Sequence, residues 1–247
     1  MESPIARVPS SFLTAEWHNL AMLNYEIDPA VLRAFVPNGT ELDSWNGKAY
    51  VSMVGFMFLK TRVRRFAIPF HQNFEEINLR FYVRRKGPDG WRRGVVFIKE
   101  IVPRFAIALI ARMFYNENYV ALATRNILET SAGSITAEYG WRLKGRWNCM
   151  RVKTSGAPRI ADEGSLEEFI TEHYWGYAAQ KDGSCVEYKV EHPRWRIWQT
   201  KEVAFDCDVE ALYGERFAGC LKAKPSSAFL AEGSPVVVYS GTKLQAR

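Results

Sequence analysis

The groups in this sequence that could do chemistry are four histidines, a polar run that alternates along one strand, and a few isolated acids, lysines and tyrosines. The most instructive run is Phe74 to Arg85, where Glu76, Asn78, Arg80 and Tyr82 alternate with Ile77, Leu79, Phe81 and Val83. That is the period of a β-strand, so the four polar side chains share one face. On a solvated sheet such a face is ordinary surface. Inside a curved sheet or barrel it lines a polar cavity, with Glu76 placed for proton transfer and Asn78 and Arg80 for holding a substrate. The pattern fits both.

His18, His71, His173 and His192 include no H-E-x-x-H pair. His71 with Glu75 and Glu76 makes a nitrogen–oxygen corner of unspecific spacing, and no metal is expected. His18 lies in a predicted strand, either hydrogen-bonded in place or acting as a catalyst. His192 and Trp195 flank Pro193 at a predicted strand end, where a ligand contact is the alternative to a structural role. Cys149, Cys185, Cys207 and Cys220 stand far apart without a C-x-x-C pair, which predicts reduced thiols. Phosphate-binding loops, dinucleotide fingerprints and nucleophile elbows have no counterpart, so no cofactor is expected.

The elements that must position these groups are short and mostly extended. Hydrophobic residues are 47% and aromatics 14% of the 247 residues, enough for one large β-rich core. Strands are predicted over 17–27, 48–59, 74–85, 94–101, 119–128, 134–143, 147–153, 185–192, 194–205 and 235–240. Asp28 and Pro29 open a short helix ending before Pro37. Pro103 opens another to about Tyr115, Ser165 caps a third to about Tyr174, and a fourth runs from Val209 to Tyr213. Residues 1–12 read as a loose arm and 13–244 as a single domain, α+β and mainly antiparallel β, a closed or half-closed barrel with a few peripheral helices. The net charge of +6 sits in short arginine groups at turns, and no nucleic-acid module accompanies it. The N-terminus shows no signal peptide and no stretch is long enough to span a bilayer, which points to the cytoplasm.

Three stretches carry a family resemblance. They are Tyr25–Pro37 followed by Glu41-Leu42-Asp43 and Gly47–Tyr50; Phe74–Val83; and Ala111–Tyr119 with Glu191–Trp195 downstream. Together they resemble the YqjF-like family of uncharacterised bacterial proteins, which shares the acetoacetate decarboxylase-like fold. The resemblance implies a cone-like antiparallel barrel with an internal pocket, and a homo-oligomer by analogy with the decarboxylases. It also implies a departure in mechanism. The decarboxylase motif is Gly-Arg-Glu, a spacer, then Pro-Lys-Lys, whose first lysine forms the Schiff base. Ala111-Arg112-Met113 falls on the first part and keeps only Arg112. Asn118-Tyr119-Val120 falls on the second and puts a phenol where the amine would be. His18 falls near an arginine of the decarboxylase pocket.

A phenol cannot form an iminium, so Schiff-base decarboxylation loses its electron sink. Lys60, Lys99 and Lys153 lie in or beside strands, and nothing in the sequence points to any of them as a replacement. Tyr119 is then either a packed aromatic or a hydrogen-bond donor and general acid in the pocket. Arg112, on a core-facing helix, needs an anionic partner or a substrate, and Glu76 is the candidate partner. Two functions follow. The first is a cofactor-independent enzyme, lyase or isomerase in type, moving protons on a small oxygenated molecule through Tyr119, Glu76 or His18. The second is a non-catalytic binder of an apolar or aromatic metabolite.

Overall fold

The computed structural model describes residues 10–67, 72–103, 118–131 and 133–244 of the chain. β1 (Ser11–Ile27) leads into helix α1 (Pro29–Leu32), which Asp28 caps by accepting from the Ala30 N–H at 2.8 Å. Strands β2 (Glu41–Leu42), β3 (Ala49–Val63), β4 (Phe66–Ala67), β5 (Phe74–Gly87) and β6 (Gly90–Val102) follow. Next come β7 (Tyr119–Ala121), β8 (Ala123–Ser131), β9 (Ser134–Leu143) and β10 (Arg146–Ile160). Helix α2 (Leu166–Thr171) precedes β11 (Trp175–Ala179), β12 (Cys185–Glu191) and β13 (Arg196–Asp206). Helices α3 (Val209–Tyr213) and α4 (Glu215–Leu221) precede β14 (Ser227–Tyr239) and β15 (Thr242–Leu244).

The fifteen strands of the described residues join one sheet, antiparallel except where β6 meets β7 and β11. β12 pairs with β11 and also with β14. The pairings β12-β11-β6-β5-β3-β1-β14 therefore return to β12. From β14 the sheet runs on through β13, β10 and β9 to β8. That extension folds over the outer face of β1, β3 and β5, where the Tyr139 ring of β9 lies against Gly55 of β3.

The two faces carry two cores. Phe56, Phe58, Phe74, Tyr188, Trp195 and Phe229 belong to one. Ile77, Leu79, Phe81, Tyr139, Trp141 and Phe217 belong to the other, which β9, β10 and the last two helices cover.

Simple alternation would not build these faces, because several strands change phase. In β1, Leu13, Ala15 and Trp17 face the first core, but so do Leu20 and Met22. The inversion falls at a bulge between His18 and Ala21, where Asn19 has φ 55°. Tyr139 from the covering layer donates its hydroxyl to the Asn19 carbonyl at 2.8 Å, pinning the bulge from outside. Its neighbour β14 inverts alongside: Phe229 and Ala231, then Val236 and Val238, face the same core. Gly233 makes this turn at φ 85°, and a Cβ there would sit 1.9 Å from the Trp17 carbonyl oxygen. Only glycine fits.

The predicted strands are present, and α1 and α3 lie where expected, but β1 already starts at Ser11, inside the expected loose arm, and β10 runs on to Ile160. The expected strand 119–128 is two strands: β7 pairs in parallel with β6, then β8 turns antiparallel onto β9. β14 starts eight residues before Pro235, its bulge reading in sequence as a break. α2 stops at Thr171 rather than near Tyr174. β11 and α4 have no counterpart in the sequence reading, and the predicted helix after Pro103 lies outside the described residues.

Two glycines separate backbone strain from steric clash. Gly39 has the same φ of 85° but nothing within 4 Å of an added Cβ. Gly39→Ala is expected to destabilise by about 1 kcal/mol, and Gly233→Ala by about 3 kcal/mol or more. Equal losses in urea unfolding would contradict the paired-bulge account.

Candidate functional site

Every strand of the returning set contributes to the wall of one cavity of about 50 Å³. By volume it holds a few waters or a ligand of a few heavy atoms. Its apolar wall is aromatic: Trp17, Phe56, Phe58, Phe97, Trp175 and Trp195. Trp17 meets Phe56 and Phe58 edge-on, with ring centroids at 5.4 and 5.7 Å. The Trp195 indole donates to Ser234 Oγ at 2.9 Å, and the His192 ring stacks on it at 4.0 Å. The buried Trp17 indole N–H has no acceptor among the described residues.

The polar wall begins on β5. Glu76 and Asn78 are 3% and 2% exposed, so the alternating face looks into the cavity and not into solvent. Asn78 donates its amide to Glu76 Oε1 at 2.9 Å, while its own Oδ1 meets no donor among the described residues. Tyr82 is turned away by a buried chain, its hydroxyl 2.5 Å from Ser52 Oγ, which donates to Asn24 Oδ1 at 2.6 Å. Arg80 makes no ion pair with any carboxylate of the described residues. It donates to Met22 Sδ at 3.9 Å, and its buried Nε has no acceptor among the described residues. Along a strand, residues 76 and 80 lie about 13 Å apart, which keeps Glu76 from reaching this guanidinium.

Glu100 of β6 faces the same space and is 2% exposed. It reaches the wall through a second phase change: Arg80 pairs with Phe97 and Leu79 with Lys99, leaving Ile98 as the extra residue. Val95 and Phe97 before the bulge, and Glu100 after it, then point inward. Tyr119 donates its hydroxyl to Glu100 Oε1 at 2.8 Å, so the phenol stands behind a wall carboxylate.

His173 follows α2 and completes the polar wall. Its side chain is 1% exposed and its Nε2 lies 3.4 Å from Asp43 Oδ2. Arg93 donates to that same oxygen at 2.6 Å. Burial pushes the His173 imidazole down to about 4 against the pull of Asp43. Burial also raises the Asp43 carboxyl, but His173 and Arg93 outweigh it and hold the group at about 2. His192 is likewise pushed down to about 4, mainly by burial, with its Nδ1 2.9 Å from the Pro193 carbonyl oxygen.

The structure thus brings Glu76, Asn78, Arg80, His192 and Trp195 together, with Tyr119 joined through Glu100. His18 stands apart: its Nε2 lies 3.2 Å from Glu16 and it does not line the cavity. Arg112 and His71 lie outside the described residues. Glu75 turns to the outer face, accepting from Thr124 and Asn126 of β8, so it cannot share a metal with Glu76. Among the described residues no group of three or more His, Cys, Asp or Glu is placed to hold a metal ion. Every lysine of the sequence is described, and none lines the cavity. Lys60 pairs with Glu16, Lys153 with Glu202, and Lys99 reaches the Leu212 carbonyl. Glu100, His173 and Trp17 are among the wall residues that sequence reasoning missed.

A profile of the DUF2071 family, described as an uncharacterized conserved protein, matches residues 14–240. The chain belongs to this family. It is 28% identical over 178 residues to the uncharacterized protein YqjF of Bacillus subtilis (strain 168), covering 72% of each. This DUF2071 chain also superposes on an acetoacetate decarboxylase-like enzyme from Sphingomonas wittichii RW1. The TM-score is 0.67 at 13% identity, covering 100% of this chain and 98% of that one. The enduracididine biosynthesis enzyme MppR complexed with pyruvate gives 0.65 at 14% identity, covering 99% and 94%. At such identities the likeness speaks for the fold alone, and the fold is acetoacetate decarboxylase-like. Among the described residues of this DUF2071 chain, no helix is long and apolar enough to cross a membrane.

The His173 environment has a consequence for stability. Its group binds a proton near 6.5 when unfolded and near 4 when folded. Between those values the unfolded chain holds the extra proton, so stability is present above pH 6.5 and is lost as pH falls toward 4. From pH 7 to pH 5, His173 alone removes about 2 kcal/mol, and His173→Gln removes that part of the slope. Urea unfolding at the two pH values checks this; an unchanged slope in the variant would contradict it.

Proposed function

We propose that this chain encloses a small carboxylate-bearing metabolite and moves a proton on it without a Schiff base. In this reading the seven mutually paired strands form a closed, cone-like barrel, and the cavity is its interior. The observation that carries the proposal is Arg80, a guanidinium in an aromatic-walled space with no carboxylate partner among the described residues and a buried Nε lacking an acceptor. A planar carboxylate from a ligand supplies what the protein leaves out.

With the ligand anion on Arg80, the rest of it extends along β5 toward Asn78, whose free Oδ1 accepts from a ligand hydroxyl or enol. Glu76 and Glu100 lie at that end, and they are the groups placed to exchange a proton with the substrate. Tyr119 positions Glu100 through its hydroxyl. Trp195 and His192 form a flat wall against which a small planar molecule packs. The buried carboxyls and the strongly shifted imidazole in the wall support catalysis over passive storage. The lysines all lie off the wall, which supports a route without an imine. MppR, of similar fold, is described in complex with pyruvate, which makes pyruvate the first probe.

Thermal unfolding of the purified protein with pyruvate, acetoacetate and their neutral amides tests the reading. The acids are expected to stabilise and the amides not to. Arg80→Met is expected to weaken acid binding tenfold to a hundredfold, about 1.4–2.8 kcal/mol. Equal stabilisation by an acid and its amide would contradict the role of Arg80. A borohydride-trapped adduct on any lysine would contradict the chemistry.

A further inference from the structure

His173 has features that the wall role alone leaves unused. Its ring is held between Tyr82 and Phe169, with centroids at 4.6 and 5.1 Å. One nitrogen, Nε2, faces Asp43. The other, Nδ1, is buried with no partner among the described residues, and Nε2 makes no hydrogen bond beyond its 3.4 Å contact with Asp43. A neutral ring that carries its proton on Nε2, beside the Asp43 carboxylate, leaves Nδ1 with a lone pair in a residue that lines the cavity.

The charged groups around this ring come from four parts of the chain. Asp43 lies between β2 and β3, and it attracts a proton to the ring. Arg93 of β6, bound to Asp43 and lying over the Phe169 ring, repels one. Arg80 of β5, which lines the same cavity, repels one as well. His192, beyond β12, feels Arg80 in the same sense and is closed at Nδ1 by the Pro193 carbonyl. An anion on Arg80 cancels one of the two repulsions on His173 and offers Nδ1 an acceptor.

We infer that His173 is a further ligand-contacting group of this cavity, and that its Nδ1 takes a proton from solvent when an anionic ligand settles beside Arg80. The inference rests on the reading of the cavity as a carboxylate site. The balance is simple: ligand anion and one proton enter together, a new N–H bond forms at Nδ1, and the complex gains no net charge. The consequence is selectivity by protonation as well as by shape. The cavity captures small acids more tightly as the medium becomes more acidic, until the empty site itself is protonated.

Calorimetry of pyruvate binding at pH 5, in two buffers of different ionisation enthalpy, counts the protons taken up. A neighbouring carboxylate raises such a group by one to three pH units. From a starting value of about 4, this corresponds to an uptake of about 0.4 to 0.9 proton per ligand. Two variants locate the proton. His173→Gln, which keeps a donor for Asp43, is expected to bind pyruvate with no uptake, whereas His192→Gln keeps the uptake. Should His173→Gln fold poorly, the Cε1–H resonance of His173 in the unaltered protein gives the same answer, moving to the imidazolium position on titration with pyruvate. Binding without proton uptake, or uptake that persists in His173→Gln, would overturn the inference while leaving the carboxylate site standing. No binding of pyruvate or acetoacetate at any pH would overturn both.

Discussion

A guanidinium held in an aromatic chamber must give up much of its hydration, and a buried N–H without an acceptor costs about 1–3 kcal/mol. Arg80 stands in that position while two carboxylates, Glu76 and Glu100, line the same chamber without reaching it. Proteins usually neutralise such a charge with a neighbouring acid. Among the described residues none does so here: positions 76 and 80 share a face but lie two side-chain pairs apart, and Arg80 makes no ion pair with Glu100. Burial depresses the basicity of His173 and His192, and Arg80 adds a smaller push in the same direction. On the proposed reading, the site is prepared for an anion.

That preparation depends on where the strands lose phase. A regular β1 would turn Leu20 away from the chamber, and a regular β6 would turn Glu100 onto the outer face beside Val96. The bulge at Ile98 rotates Glu100 inward and sends Lys99 out to the Leu212 carbonyl, so one extra residue admits an acid and expels an amine. The β1 bulge is locked from both sides, by Tyr139 on the Asn19 carbonyl and by Gly233 against Trp17. The outer layer of strands is thus part of the site, although none of its residues touches the cavity.

The sequence revealed the parts of this arrangement that follow a period. Alternation along Phe74–Arg85 identified Glu76, Asn78 and Arg80 as one face, although it could not say whether the face met water. The family resemblance placed a phenol where a reactive amine would stand. Glu100 was illegible because the Ile98 bulge breaks the count that would have linked it to Phe97. His173 was illegible because it sits in a linker after α2, where no period applies, and its partner Asp43 lies 130 residues earlier. His18 drew attention by alignment, but it shares its face with Glu16, and the ring turns to that carboxylate. A bulge or a linker leaves no repeating signal for a single chain to show.

The most direct test of the anion site is the nitrogen resonance of Arg80 Nε, followed while pyruvate is added. The account expects that one N–H signal to move strongly downfield in proton frequency and to become protected from exchange as a carboxylate oxygen accepts from it. A bound pyruvate that leaves Arg80 Nε unmoved, with the shift appearing on surface arginines instead, would contradict the account at its centre.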